Sequence, residues 1–209
     1  GTGRFILLQS DFEGTADFAE FTPRASISYE IDDDQTVYAS YSRGFKGGGF
    51  DPRMNVVGTK ISLAQAKAGY SPEVIDTFEL GLKSQYNGGR IMTNMALFAS
   101  QYKDVQIPGS VAVDTNGDGR DDSFAGVTTN AGKARIRGFE LEASARLTDS
   151  LSLSGMYSHI NAKYTRFIVA GVDVSGSRVF QNTPKNSANL RATYDIALPV
   201  MGTAGKLSV

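Results

Sequence analysis

The chain has 209 residues, with 21 Lys and Arg against 22 Asp and Glu, a net charge of −1, and no cysteine. This charge balance gives no indication of nucleic-acid binding, and the missing cysteines exclude a disulfide framework and thiol chemistry. No apolar run approaches the roughly eighteen residues of a membrane helix, although a lipid-facing β-strand needs an apolar residue only at every second position.

Alternation of apolar and polar residues predicts β-strands along most of the chain. Beyond a strand end near 5–8, these are expected at 24–31, 35–45, 73–86, 90–103, 134–147, 151–165 and 187–198, and an incomplete eighth begins at 206. The facing of the strand at 35–45 stays open, because Val37, Ala39 and Tyr41 compete with Tyr38 for the apolar face.

The hairpin at 77–101, whose first arm begins at residue 73, shows the pattern most clearly. Its first arm has fourteen residues, about 46 Å at about 3.3 Å per residue, and residues 87–89 are Asn-Gly-Gly, which favours a tight turn. Strands of this length are typical of membrane barrels whose walls rise above the lipid. The side chains expected to face lipid are Leu80, Leu82, Leu141, Ala143, Ala145, Leu190 and Ala192.

The connections alternate between short and long. Short turns such as 32–34 and 148–150 alternate with long loops expected at 46–72, 104–133 and 166–186. This alternation predicts an all-β, antiparallel up-and-down meander, a fragment of a large transmembrane β-barrel with its long loops outside the cell. Aromatic residues near the short turns would form an interfacial girdle, namely Tyr29, Tyr86 and Tyr194.

Several segments resemble one known family. These are YASYSRGFK at 38–46, PEVIDTFELGLK at 72–83, RGFELE at 137–142 and TPKN at 183–186. In this order and spacing they are similar to the barrel of TonB-dependent outer-membrane receptors, over about 21–198. The resemblance implies that residues 1–209 are one partial barrel of about eight strands, lacking the plug domain, the TonB box and the closing strand.

The resemblance also implies a function. The parent protein is expected to be an active transporter of the bacterial outer membrane, not an enzyme. It would import siderophores, other iron chelates or other bulky nutrients, and would couple to the TonB complex through an N-terminal region. From the residues alone, two alternatives stay open: a small structural or adhesive outer-membrane barrel, and a soluble β-sandwich binding module.

Two candidate sites stand out. The segment 114–122 has the spacing of a calcium loop, although Ala125 stands where the bidentate Glu would be; a solvated acidic turn is the alternative. Its candidate calcium ligands are Asp114, Asn116, Asp118 and Asp122. A second set is expected to line a transport path or a solvated wall: Glu79, Lys83, Glu140, Glu142, Arg146 and Arg191. No catalytic residue and no other cofactor are predicted, and His159 is expected at the barrel rim.

Overall fold

The computed structural model describes residues 12–54, 62–114, 118–169, 171–200 and 203–208. Its strands are β1 Arg24–Asp32, β2 Gln35–Lys46, β3 Glu73–Tyr86, β4 Ile91–Val113, β5 Ser123–Arg146, β6 Leu151–Val169, β7 Val172–Asp173, β8 Asn186–Val200 and β9 Thr203–Ser208. The helical elements in these ranges are α1 Leu63–Ala68 and a 3-10 turn, Ser175–Ser177.

The strands form a single antiparallel sheet. Its order is β1-β2-β3-β4-β5-β6-β8-β9, and the two-residue β7 pairs with β6. Each long strand pairs with the next long strand of the chain, which confirms the up-and-down meander predicted from the sequence. The described residues form one continuous sheet rather than two packed sheets, so the β-sandwich alternative has no support.

The prediction of a long irregular loop at 104–133 is wrong. β4 and β5 continue through most of it as a paired hairpin, from Val105 opposite Gly132 to Val113 opposite Ser123. β3 pairs with β4 only as far as Lys103, so one edge of β4 is open beyond that point. Pro108 is tolerated there, because an edge strand can leave a backbone position without an N–H donor.

The other two long connections carry some regular structure. Within 46–72, α1 begins with a capping box, in which Ser62 and Gln65 each accept a hydrogen bond from the other's backbone. β6 extends to Val169, four residues beyond its predicted end, and β7 follows.

The strand end expected at 5–8 lies outside the described residues. No helix in the described part of the chain is both long and apolar enough to cross a membrane.

Cross-strand pairing sorts the side chains onto two faces. Leu80 pairs with Leu97, which pairs with Phe139, and the next row joins Leu82, Met95 and Leu141. Since side chains of paired residues lie on the same side of a sheet, these rows build one apolar face. The outward face, as we call it, contains all seven residues expected to face lipid and also Tyr29, Tyr86 and Tyr194.

The register also settles the facing of β2. Val37 pairs with Leu82 and Ala39 pairs with Leu80, so both lie on the outward face together with Tyr41. Tyr38 therefore lies on the opposite, inward face. The sequence alone left this open because both alternating sets of β2 include a tyrosine.

Few apolar side chains are buried among the residues that the structure describes. The buried ones are Met54, Ala66, Val113, Ala125, Ala134 and Phe167. Meanwhile Leu80 is 50% exposed, Leu97 51% and Leu190 81%. A contiguous exposed apolar surface of this kind is unusual in a soluble monomer and indicates contact with another apolar medium.

Candidate functional site

The inward face is the candidate functional surface. Its central row joins Lys83 to Asn94 and Asn94 to Glu142 across three strands. The neighbouring rows add the other members of the set predicted from the sequence, Glu79, Glu140, Arg146 and Arg191. The structure thus places all six predicted charged residues on one face, opposite the apolar rows.

Tyr38 contacts both an acidic and a basic side chain of this face. Its hydroxyl donates a hydrogen bond to Glu79 Oε1 at 2.7 Å, and Lys83 Nζ lies 5.6 Å from the centre of its ring. Gly81, paired with Tyr38, leaves room for the ring, because a Cβ at position 81 would collide with it. Phe98 lies against Gly138 in the same way, 2.6 Å from the position of a Cβ there.

A groove of about 520 Å³ opens on this face near the short turns. Its charged lining residues are Asp33, Asp34, Lys83, Glu142 and Arg191. Both signs of charge are present, together with serine hydroxyls and asparagine amides. Such a lining suits a water-filled passage or contact with another polar protein surface, and would be costly inside an apolar core.

At the other end of the sheet, the segment 47–54 is fixed against the extended β4–β5 hairpin. Asp51, 4% exposed, accepts hydrogen bonds from Arg53 at 3.0 and 2.7 Å and from the Thr128 hydroxyl of β5 at 2.8 Å. The Arg53 hydrogen bonds hold the pKa of Asp51 at about 2, below its ordinary 3.8. The ionised carboxylate therefore joins the loop to the hairpin at neutral pH.

Two amide side chains complete this attachment. Gln106 donates to the carbonyl oxygens of Gly47 and Ser71, at 2.9 and 3.1 Å. Asn130 accepts from the Ser71 backbone N–H at 2.7 Å and donates to the Ser71 carbonyl oxygen at 2.8 Å. These contacts could not be predicted from the sequence, because Gln106 and Asn130 were expected in an irregular loop and their partners are distant in the chain.

The calcium prediction remains untested by the structure. Asp114 accepts a hydrogen bond from the backbone N–H of Gly119 at 2.6 Å, and Asp118 accepts one from that of Arg120 at 2.8 Å. Asn116 lies outside the described residues. Within the described part of the chain, no group of three or more His, Asp or Glu side chains is arranged to hold a metal ion.

His159 lies on the outward face, in the row of Leu97 and Phe139. Its Nδ1 is 2.7 Å from Asn186 Oδ1, where β8 begins at the long-loop end. Tyr157 donates its hydroxyl hydrogen to the same oxygen at 2.8 Å. The histidine therefore links β6 to the start of β8, consistent with a role in holding the two strands together.

Comparisons with known proteins agree with this architecture. The family model described as "TonB dependent receptor-like, beta-barrel" matches residues 5–207. The metal-pseudopaline receptor CntO of Pseudomonas aeruginosa is 30% identical over 175 residues, which cover 83% of this chain and 21% of the receptor. The ferric-pyoverdine M114 receptor PbuA of Pseudomonas sp. is 26% identical over 183 residues, covering 87% and 19%. The chain thus spans about a fifth of the length of these relatives.

Solved structures show the same fold. The ferric yersiniabactin uptake receptor FyuA of Yersinia pestis superposes with a TM-score of 0.60 at 22% identity, covering 85% of this chain and 23% of that one. The alcaligin outer-membrane receptor FauA of Bordetella pertussis gives a TM-score of 0.51 at 26% identity, covering 87% and 27%. In both, the similarity is to a segment of a larger barrel.

Proposed function

Because this chain belongs to the TonB-dependent receptor-like β-barrel family, we propose that its parent protein imports a metal chelate, with iron as the first candidate metal. The family comprises outer-membrane transport receptors rather than enzymes. In this proposal the chain forms part of the barrel wall, and the energy for import comes from the TonB complex.

The observation that carries the proposal is the division of one long-stranded sheet into two unlike faces. The outward rows around Leu80, Leu97 and Leu141 are apolar and exposed, which suits hydrocarbon. The inward rows around Lys83 and Glu142 are charged and exposed, which suits a lumen. A wall with these two faces separates lipid from a polar passage.

The extended β4–β5 hairpin supports a role in capture. From Lys103 to Val113 it continues ten residues beyond the last β3–β4 pair, about 33 Å at about 3.3 Å per residue. Asp51, Gln106 and Asn130 fix the neighbouring loop against it. A braced projection above the barrel can present binding groups to a ligand before it enters the lumen.

The substrate class rests on the relatives. The first is named a receptor for metal-pseudopaline, others are named receptors for ferric pyoverdine, and another is a ferrichrome transporter of Escherichia coli. All of these names describe metal chelates. We therefore propose a chelated metal as cargo for the parent protein.

Uptake by a deletion strain tests the proposal. A strain lacking the parent gene should lose uptake of at least one member of a panel of radiolabelled ferric, zinc and nickel chelates, and a plasmid copy should restore it. Normal uptake of every chelate in the panel, and of vitamins and sugars assayed beside it, would contradict a transport role. A second strain lacking TonB tests the energy source, and unchanged uptake there would remove the coupling from the proposal while keeping the transporter.

A further inference from the structure

The β4–β5 hairpin leaves the sheet with no further strand along either of its outer edges. β3 pairs with β4 only as far as Lys103, and β6 pairs with β5 only from Gly132 towards the short turns. Beyond these points the two strands pair with each other alone, as far as Val113 opposite Ser123. A strand edge without a neighbour carries backbone N–H and C=O groups that another strand can use.

The edge on the β4 side is closed to a further strand. The backbone N–H of Gln106 donates to Glu73 Oε2 at 2.8 Å, and Pro108, two residues further on, has no N–H. Because successive residues of a strand point their backbone groups to opposite sides, Gln106 and Pro108 share this edge. A strand added along β4 would therefore lack two successive hydrogen-bond donors.

The edge on the β5 side is open. Every second residue of this part of β5 lies opposite a β4 residue whose backbone groups point away, so its own backbone groups point away as well. These residues are Phe124, Gly126, Thr128 and Asn130. No backbone hydrogen bond reaches them from the described part of the chain. Residues 123–132 also include no proline and no charged side chain, the features that usually protect an edge strand.

The open edge borders a groove of about 470 Å³ between β5 and the end of β6. Its apolar lining comes from β4, β5 and β6 and includes Ile107, Val111, Val127, Ile168 and Val169. Its charged lining residues lie at the closed end, beside the last β5–β6 pairs, and are Asp104, Lys133 and Arg166. An occupant that is uncharged over most of its length suits these walls, since a charge buried against them would be unpaired.

The β6 wall of the groove also offers free backbone groups. Phe167 turns both of its own groups toward β7, because its N–H donates to Asp173 Oδ1 at 3.1 Å and its carbonyl oxygen accepts from the Val174 N–H at 2.8 Å. The backbone groups of the next residue, Ile168, therefore point to the other side, into the groove. The groove thus has strand-pairing groups on both of its walls.

A second copy of the chain fits this edge poorly. Two receptors in one membrane point their β5 strands in the same direction, because both long-loop ends face the outside. Two β5 edges then cannot pair antiparallel, and β5 of one copy against β4 of the other meets Pro108. A parallel pair of β5 edges remains, which is less stable per residue.

We propose that the β5 edge at 124–130 binds an extended, uncharged segment of another polypeptide, supplied from outside the cell, by strand addition. The backbone of that segment pairs with Phe124, Gly126 and Thr128, and every second side chain enters the groove beside Val127. Backbone pairing supplies affinity, and the groove selects the alternate side chains. The inference depends on membrane insertion in the orientation of this family, but not on the imported nutrient or on TonB.

Hydrogen exchange in the purified full-length receptor tests the edge. The probe is a peptide of alternating threonine and valine, as long as the open edge and kept soluble by a polyethylene glycol chain, and exchange is resolved to single residues by electron-transfer fragmentation. Saturating peptide should slow exchange at Phe124, Gly126 and Thr128 by about tenfold or more, because their N–H groups gain acceptors. Exchange at Val127 and Thr129, whose N–H groups already point toward β4, should change much less.

Two matched controls isolate the strand pairing. The same peptide N-methylated at every residue has no N–H donor and should not bind. Thr129→Lys places a charge on the open edge, and Ala112→Lys places one on the β4 strand of the same hairpin; both positions are exposed. The first variant should weaken peptide binding by about tenfold or more, because its charge would be buried under the added strand, whereas the second should keep it.

Several results would overturn the inference. These are unchanged exchange at Phe124, Gly126 and Thr128 in about millimolar peptide, equal binding of the methylated peptide, and equal affinity of the two lysine variants. Efficient cross-linking of receptor dimers through Val127→Cys, with no peptide binding, would assign the edge to a second copy instead. If Thr129→Lys fails to fold, the methylated peptide still decides, because it is tested on the wild-type receptor.

Discussion

Replacing Leu141 with Arg tests the assignment of the two faces most directly. Leu141 is six residues from Arg135, a charged residue at the long-loop end of the outward face, and six from Leu147 at the short turn. At about 3.3 Å per residue this is about 20 Å along the strand in each direction, or about 15 Å of height for a tilt of about 40°. Leu141 therefore lies near the middle of the apolar band.

An arginine at the midplane of a membrane barrel costs about 2–4 kcal/mol. The equilibrium constant for folding should therefore fall by about 30- to 900-fold. The assay is urea-dependent folding of the full-length receptor into lipid vesicles, with the free energy of unfolding extrapolated to water.

Asn94→Arg is the matched control. Asn94 is exposed on the inward face, between Lys83 and Glu142 in the register, so the same new side chain there meets water and a carboxylate. We expect a change of less than about 1 kcal/mol for it, and likewise for Glu142→Gln. Equal destabilisation by Leu141→Arg and Asn94→Arg would refute the assignment of the faces.

Three further predictions concern the long-loop end. The depressed pKa of Asp51, about 2 against an ordinary 3.8, means that its contacts with Arg53 stabilise the docked loop fully above pH about 4 and are lost as the pH falls through about 2. The rate of pepsin cleavage in the loop, relative to that of an Asp51→Asn variant, should therefore rise over this range; a constant ratio would contradict the role of the ion pair. If the 114–122 segment binds calcium, calorimetric titration should show a site that Asp118→Ala weakens sharply, because a charged ligand is lost; no heat with millimolar calcium would leave only a solvated turn. An epitope tag at the tip of 104–133 should be detected on intact cells and one in the turn 148–150 should not, and the reverse pattern would invert the orientation.

Much of the fold could be predicted from the sequence because the strands obey a strict period of two. β3 was predicted at 73–86, and the structure places it at Glu73–Tyr86. The six charged residues expected to line a transport path or a solvated wall were assigned to one face for the same reason. Such predictions need only local alternation, which the pleat of a strand enforces.

The rest depended on partners that the sequence does not reveal. β2 has tyrosines on both faces, and only its register against Leu80 and Leu82 decides which one points inward. The β4–β5 hairpin was missed, since residues 104–133 were predicted to be a long loop. In the structure a single paired edge is enough to keep that segment extended. Its further contacts are with Asp51 and Gly47, which are distant in the sequence.

The ring of Tyr38 resting on Gly81 has an evolutionary consequence. The two positions share one space across neighbouring strands, so position 81 cannot gain a side chain while Tyr38 stays in place. Among relatives, a side chain larger than hydrogen at position 81 should accompany a small residue at position 38. A genetic selection for suppressors of Gly81→Val should accordingly return replacements of Tyr38 by Ala or Ser.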